Sequence, residues 1–115
     1  MDDLIHFYRV DDLHEAKEFY QKVLNFRLYK DQGKCLIFDT NGFGKIGFCI
    51  HHPKQKNHAT CITFVYKTKE EVDAMYERLK NMLSCEEPHE NKEFHIYQFF
   101  AKDPNGLTLE FQQFL

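Results

Sequence analysis

The chain has 115 residues, 43% hydrophobic and 29% charged, enough apolar material for one domain to close a core without metal or disulfide staples. Its formal net charge of −3 and isoelectric point near 6.1 exclude the basic footprint of a nucleic-acid binder, and no apolar run approaches membrane-spanning length. Asp2 and Asp3 stand where a secretory leader needs positive charge, so the sequence predicts a cytoplasmic protein. Its cysteines, Cys35, Cys49, Cys61 and Cys85, form no C-x-x-C pair and are expected to be free thiols.

The chain begins with a short apolar segment, "LIHFYRV", followed by the first helix signal, "DDLHEAKEFYQKVLNF". Asp12 and Glu15 have capping-box spacing, and Leu13, Ala16, Phe19, Tyr20, Val23 and Leu24 recur at the three- and four-residue intervals that put apolar side chains on one helix face. Three strand-like runs follow: "FRLYKD", "KCLIFDT" and "KIGFCIHH", the last two separated by an Asn41-Gly42 turn signal. Residues 51–58, "HHPKQKNH", are polar and broken by Pro53, as a linker would be.

The same order then recurs. "TCITFVY" leads to a second helix signal in which Thr68 and Glu71 repeat the capping box, and Val72, Met75, Tyr76, Leu79 and Leu83 repeat the stripe. A short strand is expected near Cys85, then a solvated loop over residues 86–93. "FHIYQFFAK" and "LTLEFQQF" follow, joined across Asn105-Gly106. The helix caps lie 56 positions apart, and the simplest account is a βαβββ unit used twice. The expected fold class is α+β, two βαβββ modules forming curved mixed sheets around a cavity. Module one covers about 1–52, the linker 53–58 and module two about 59–115.

A helix placed after the first strand of a unit covers one sheet face, and period-two alternation sorts the strand residues between that face and the other. Ile46, Phe48, Ile50, Ile62, Phe64 and Tyr66 fall on the helix side, leaving Gly47, Cys49, His51, Cys61, Thr63 and Val65 opposite. In the last strand Glu110 shares the less apolar face with Thr108 and Gln112, away from Leu109 and Phe111. The first strand places Leu4, His6, Tyr8 and Val10 on the helix and Ile5, Phe7 and Arg9 opposite; a slip of one residue exchanges the sets. A solvated carboxylate and small packing cysteines are the ordinary reading of such positions.

Three stretches in order, "RVDDLHEAKEFYQKVLNF", "KEEVDAMYERLK" and "FFAKDPNGLTLEF", resemble the vicinal oxygen chelate superfamily of glyoxalase, bleomycin-resistance and dioxygenase proteins, over essentially the whole chain. The resemblance implies paired βαβββ modules and, in metal-dependent members, one ligand from the first and one from the last strand of each unit. Those positions here are Ile5, Gly47, Cys61 and Glu110, and only Glu110 is the usual ligand type. It further implies a small-molecule ligand and a homodimer whose cavities are completed by modules from two chains.

The resulting expectation is a protein that binds a small organic ligand with no metal cofactor, Glu110 being the chief polar contact or general base and Phe7, Arg9, Cys49, His51, Cys61, Thr63 and Gln112 lining the site. The alternative is a lyase, isomerase or dioxygenase with an altered divalent-metal site (zinc, iron, manganese or nickel) built from Glu110, Cys61 and His6. A third possibility is sequestration of a compound without chemistry.

Overall fold

A computed structural model describes residues 1–51 and 60–115; the linker expected over 53–58 lies outside the described residues. The chain divides into two units, Met1–Asn57 and His58–Leu115, each containing one four-stranded sheet. The first contains β1 (Ile5–Arg9), α1 (Leu13–Lys17), a π-helical continuation (Glu18–Val23), β2 (Arg27–Asp31), β3 (Cys35–Asp39) and β4 (Lys45–Cys49). The second contains β5 (Cys61–Val65), α2 (Lys69–Leu79), β6 (His89–Asn91), β7 (Ile96–Lys102) and β8 (Thr108–Phe114). The strand orders β1-β4-β3-β2 and β5-β8-β7-β6 are the same arrangement, with one parallel pair between the first and last strands of each unit. The βαβββ plan is therefore present twice.

Local chemistry explains the elements. Asp12 accepts a hydrogen bond from the Glu15 amide at 3.0 Å and Thr68 accepts one from the Glu71 amide at 3.2 Å, so both expected caps satisfy an otherwise unpaired helix donor. Asn41 (φ 62°) and Gly42 (φ 93°) turn the β3–β4 hairpin in the left-handed region that these residue types tolerate. At the β7–β8 turn, buried Asp103 accepts from the Asn105 and Leu107 amides, each at 2.8 Å.

The helix side of each sheet holds an aromatic core. Tyr20 stacks on Phe48 with ring centroids 4.3 Å apart, while Phe99 and Phe64 stack on Phe111 at 4.9 and 5.0 Å. Each such ring buried contributes roughly 1.5–3 kcal/mol. Stacking of Tyr8 on Phe48, together with the Phe7 ring lying over Gly47 on the other face, fixes the β1 register.

Several expectations need correction. Leu4, His6 and Ile50 are exposed rather than packed on a helix: Leu4 and Ile50 lie beyond the ends of β1 and β4, and His6 is on β1, the outermost strand of its sheet. The solvated loop expected over 86–93 contains β6, and Cys85 contributes only an isolated bridge to Ala101. Cys35 and Cys49 are not free thiols: they face one another across β3 and β4 and form a disulfide.

Candidate functional site

The face of the second sheet opposite α2 carries a continuous line of side-chain hydrogen bonds across all four strands. Parallel pairing of β5 with β8 puts Thr63 beside Glu110, and its hydroxyl donates to Glu110 Oε1 at 2.8 Å. From β7, the Gln98 amide donates to Glu110 Oε2, also at 2.8 Å. Gln98 Oε1 in turn accepts from Asn91 Nδ2 on β6 at 3.0 Å, and Asn91 Oδ1 accepts from the Glu93 and Phe94 amides. Cys61 adjoins the other end, its sulfur 3.8 Å from the Thr63 hydroxyl.

Both Glu110 oxygens are thus held by neutral donors on flanking strands. An ionised carboxylate has about four acceptor sites, so two remain for a ligand N–H or O–H. Gln98 is almost completely buried, and its own carbonyl is fixed by Asn91, which leaves little rotational freedom in the group that aims Glu110. The same face carries Val65 and Phe100, both exposed, as a polar group set among apolar surface requires for small-molecule recognition. Partial burial pushes the Cys61 thiol above its ordinary range; the Thr63 hydrogen bond works against this, the Glu110 charge reinforces it and Lys102 opposes it. Cys61 is therefore a thiol near neutral pH. Lys102 donates to the Thr108 hydroxyl at 2.7 Å across the β7–β8 pair.

Of the residues expected in the site, Cys61, Thr63, Glu110 and Gln112 share this face of the second unit, and Gln112 is buried. Phe7, Arg9, Cys49 and His51 belong to the first unit. Phe7 covers Gly47, and the Arg9 guanidinium donates to the Val10 carbonyl and to Asp11. Cys49, expected as a free thiol in a ligand cavity, is bonded to Cys35 instead, and the His51 imidazole Nδ1 lies 3.5 Å from the Cys35 sulfur. His6 is exposed and pairs in register with Ile46, on the opposite face from Phe7. Gln98 and Asn91 were missed by sequence reasoning. A signal existed: Gln98 is the one amide side chain within the otherwise apolar and aromatic run "IYQFF".

The four positions matching the metal-ligand pattern do not fit an oxygen-preferring ion. Ile5 and Gly47 have no donor atom, and a side chain at Gly47 would place its Cβ 2.4 Å from a carbon of the Phe7 ring. Cys61 is a soft donor, which leaves Glu110 as the one hard oxygen donor among the four positions.

The model of the Glyoxalase/Bleomycin resistance protein/Dioxygenase superfamily matches residues 4–111. The chain belongs to that superfamily. Among solved structures it is similar to a glyoxalase/bleomycin resistance protein/dioxygenase family enzyme from Burkholderia phytofirmans PsJN, with 21% identity and a TM-score of 0.83 over 96% of this chain and 97% of that one. It is also similar to the fosfomycin resistance protein FosX of Listeria monocytogenes, with 20% identity and a TM-score of 0.80 over 100% and 95% of the two chains. The lactoylglutathione lyase of Agrobacterium tumefaciens shares 20% identity and a TM-score of 0.76 over 96% and 91%. No curated protein sequence matches significantly. At these identities the solved superfamily members establish the fold, and chemistry rests on the residues of this chain.

Proposed function

We propose that this superfamily member binds a small organic ligand on the face of the β5–β8 sheet opposite α2, with Glu110 as the central polar contact and without the standard metal site. The observation that carries this reading is the capture of both Glu110 oxygens by Thr63 and Gln98. A carboxylate fixed in this way is a preorganised acceptor for a ligand hydroxyl, amine or amide. It acts as a general base only where the ligand brings an acidic proton within about 3 Å of a free lone pair. Val65 and Phe100 favour a ligand with an apolar body beside that donor. Exposed Val65, Phe100 and Phe114 also support a homodimer in which a second copy walls the site. Sedimentation at micromolar concentration tests this, and a monomer alone would count against it.

A metal-assisted lyase, isomerase or dioxygenase is the second reading, favoured by the placement of the Cys61 sulfur on the same face as Glu110, with Thr63 between them. A turnover assay with a dicarbonyl and a thiol, with and without added divalent metal, separates the two. Turnover that needs the metal and disappears in Glu110→Gln supports the second reading. Binding of small ligands detected by amide shift changes at Thr63, Gln98 and Gln112, without metal, supports the first.

A further inference from the structure

The first unit carries a separate cluster. Cys35 and Cys49 are directly opposed on β3 and β4; the Ile50 amide bonds to the Lys34 carbonyl, which makes the adjacent Cys35–Cys49 pair the non-hydrogen-bonded kind, where side chains approach most closely. Their Cα atoms are 4.2 Å apart. The two sulfurs and a ring nitrogen of His51 all lie within 4.8 Å of one another. The cysteines are buried, while His51 is exposed at the end of β4 and opens the cluster to solvent.

We propose that Cys35, Cys49 and His51 form a redox-gated site for a thiophilic cation of the zinc class, loaded when the disulfide is reduced and emptied when it forms. A tetrahedral zinc ion bonds sulfur at about 2.3 Å and imidazole nitrogen at about 2.0 Å, which puts its ligand atoms roughly 3.5–4 Å apart. The Cys35 sulfur and His51 Nδ1 already stand at 3.5 Å, so once the disulfide is reduced the main geometric change needed is separation of the two sulfurs. The hairpin holds both cysteine backbones in place meanwhile. Two thiolates and a neutral imidazole supply three ligands of the soft type that such ions prefer, leaving a fourth position open.

The redox step balances with a small-molecule disulfide such as oxidised glutathione. The two protein thiolates lose two electrons in forming their S–S bond, the glutathione S–S bond breaks, two glutathione thiolates leave, and the cation is released. Loading reverses this: two small-molecule thiolates, or a phosphine with water, reduce the protein disulfide before the ion enters.

The test is titration of the whole chain with Co²⁺, followed by displacement with Zn²⁺, after anaerobic phosphine reduction and again with the disulfide intact. Expected are one equivalent of cobalt with a thiolate-to-metal charge-transfer band in the reduced protein only, expulsion by oxidised glutathione, and binding weakened at least about tenfold in His51→Ala. Because His51 is exposed, that variant keeps its fold even if Cys35→Ala does not. Glu110→Gln and Cys61→Ala should retain the band, which separates this site from the second unit. No band in the reduced protein, an undiminished band in His51→Ala, or a band with the disulfide intact would overturn the proposal.

Discussion

Gln98 and Glu110 are diagonal neighbours on β7 and β8, two residues out of direct register, and the Gln98 amide reaches across to Glu110 Oε2 at 2.8 Å. The arrangement separates the charge of Glu110 from its role in the network. In Glu110→Gln the new carbonyl can accept from Gln98 while the new amide donates to the Thr63 hydroxyl, which rotates. The expected stability loss is therefore about 1 kcal/mol or less, with ligand binding reduced. Glu110→Ala leaves the buried Gln98 amide unpaired and should cost about 1–3 kcal/mol. Urea unfolding of the two variants checks the order, and equal losses would contradict it.

Gly47 is held to glycine by the Phe7 ring. A methyl group at residue 47 would stand 2.4 Å from Phe7 Cε1, so Gly47→Ala should cost about 1–3 kcal/mol or expel the ring. Phe7 is partly exposed, which lets the double variant Phe7→Ala/Gly47→Ala relieve the clash. Denaturant midpoints of the single and double variants should therefore be non-additive.

Tyr66 and Tyr97 should titrate late. Burial pushes the Tyr66 phenol from 10.0 up to about 12, and a hydrogen bond donated to Asp73 Oδ1 at 2.6 Å pushes Tyr97 up to about 12 as well. A phenol whose folded pKa is raised holds its proton more tightly in the folded state. Its stabilising contribution is complete below pH 10 and is lost as pH rises towards 12. Tyrosinate absorbance should show two late components, one removed by Tyr66→Phe and the other moved to lower pH by Asp73→Asn. Late components unaffected by those changes would contradict the assignment.

Asp103 organises the turn that leads into β8. Its carboxylate takes the Asn105 and Leu107 amides, so Asp103→Ala should cost about 1–3 kcal/mol, whereas Asp103→Asn retains one acceptor oxygen and costs less. Thermal unfolding of the pair checks this.

Much of the fold was legible because its signals are local. Capping boxes at Asp12 and Thr68, the Asn-Gly turns and the repeated helix stripes each depend on residues close in sequence. The facing of Thr63 and Glu110 was likewise legible from alternation in a strand of known direction. Partnerships between strands were not. Cys35 and Cys49 are equidistant from Gly42, yet only the register of the hairpin makes that spacing a bond, and the absence of C-x-x-C concealed it. The Asn91–Gln98 link was hidden for a similar reason: "EEPHENKE" is polar enough to read as loop, and backbone pairing with β7 overrides that composition.

The most direct test of the central claim, that Glu110 is a hydrogen-bonded ligand contact and not a metal ligand, is calorimetric titration with Mn²⁺, Ni²⁺ and Zn²⁺. The Cys35–Cys49 disulfide is kept intact so that the first unit cannot contribute through its thiolates. The account predicts no stoichiometric binding that depends on Glu110, and indistinguishable isotherms for the unaltered chain and Glu110→Gln. One equivalent of tightly bound metal that disappears in Glu110→Gln would contradict it and establish Glu110 as a metal ligand.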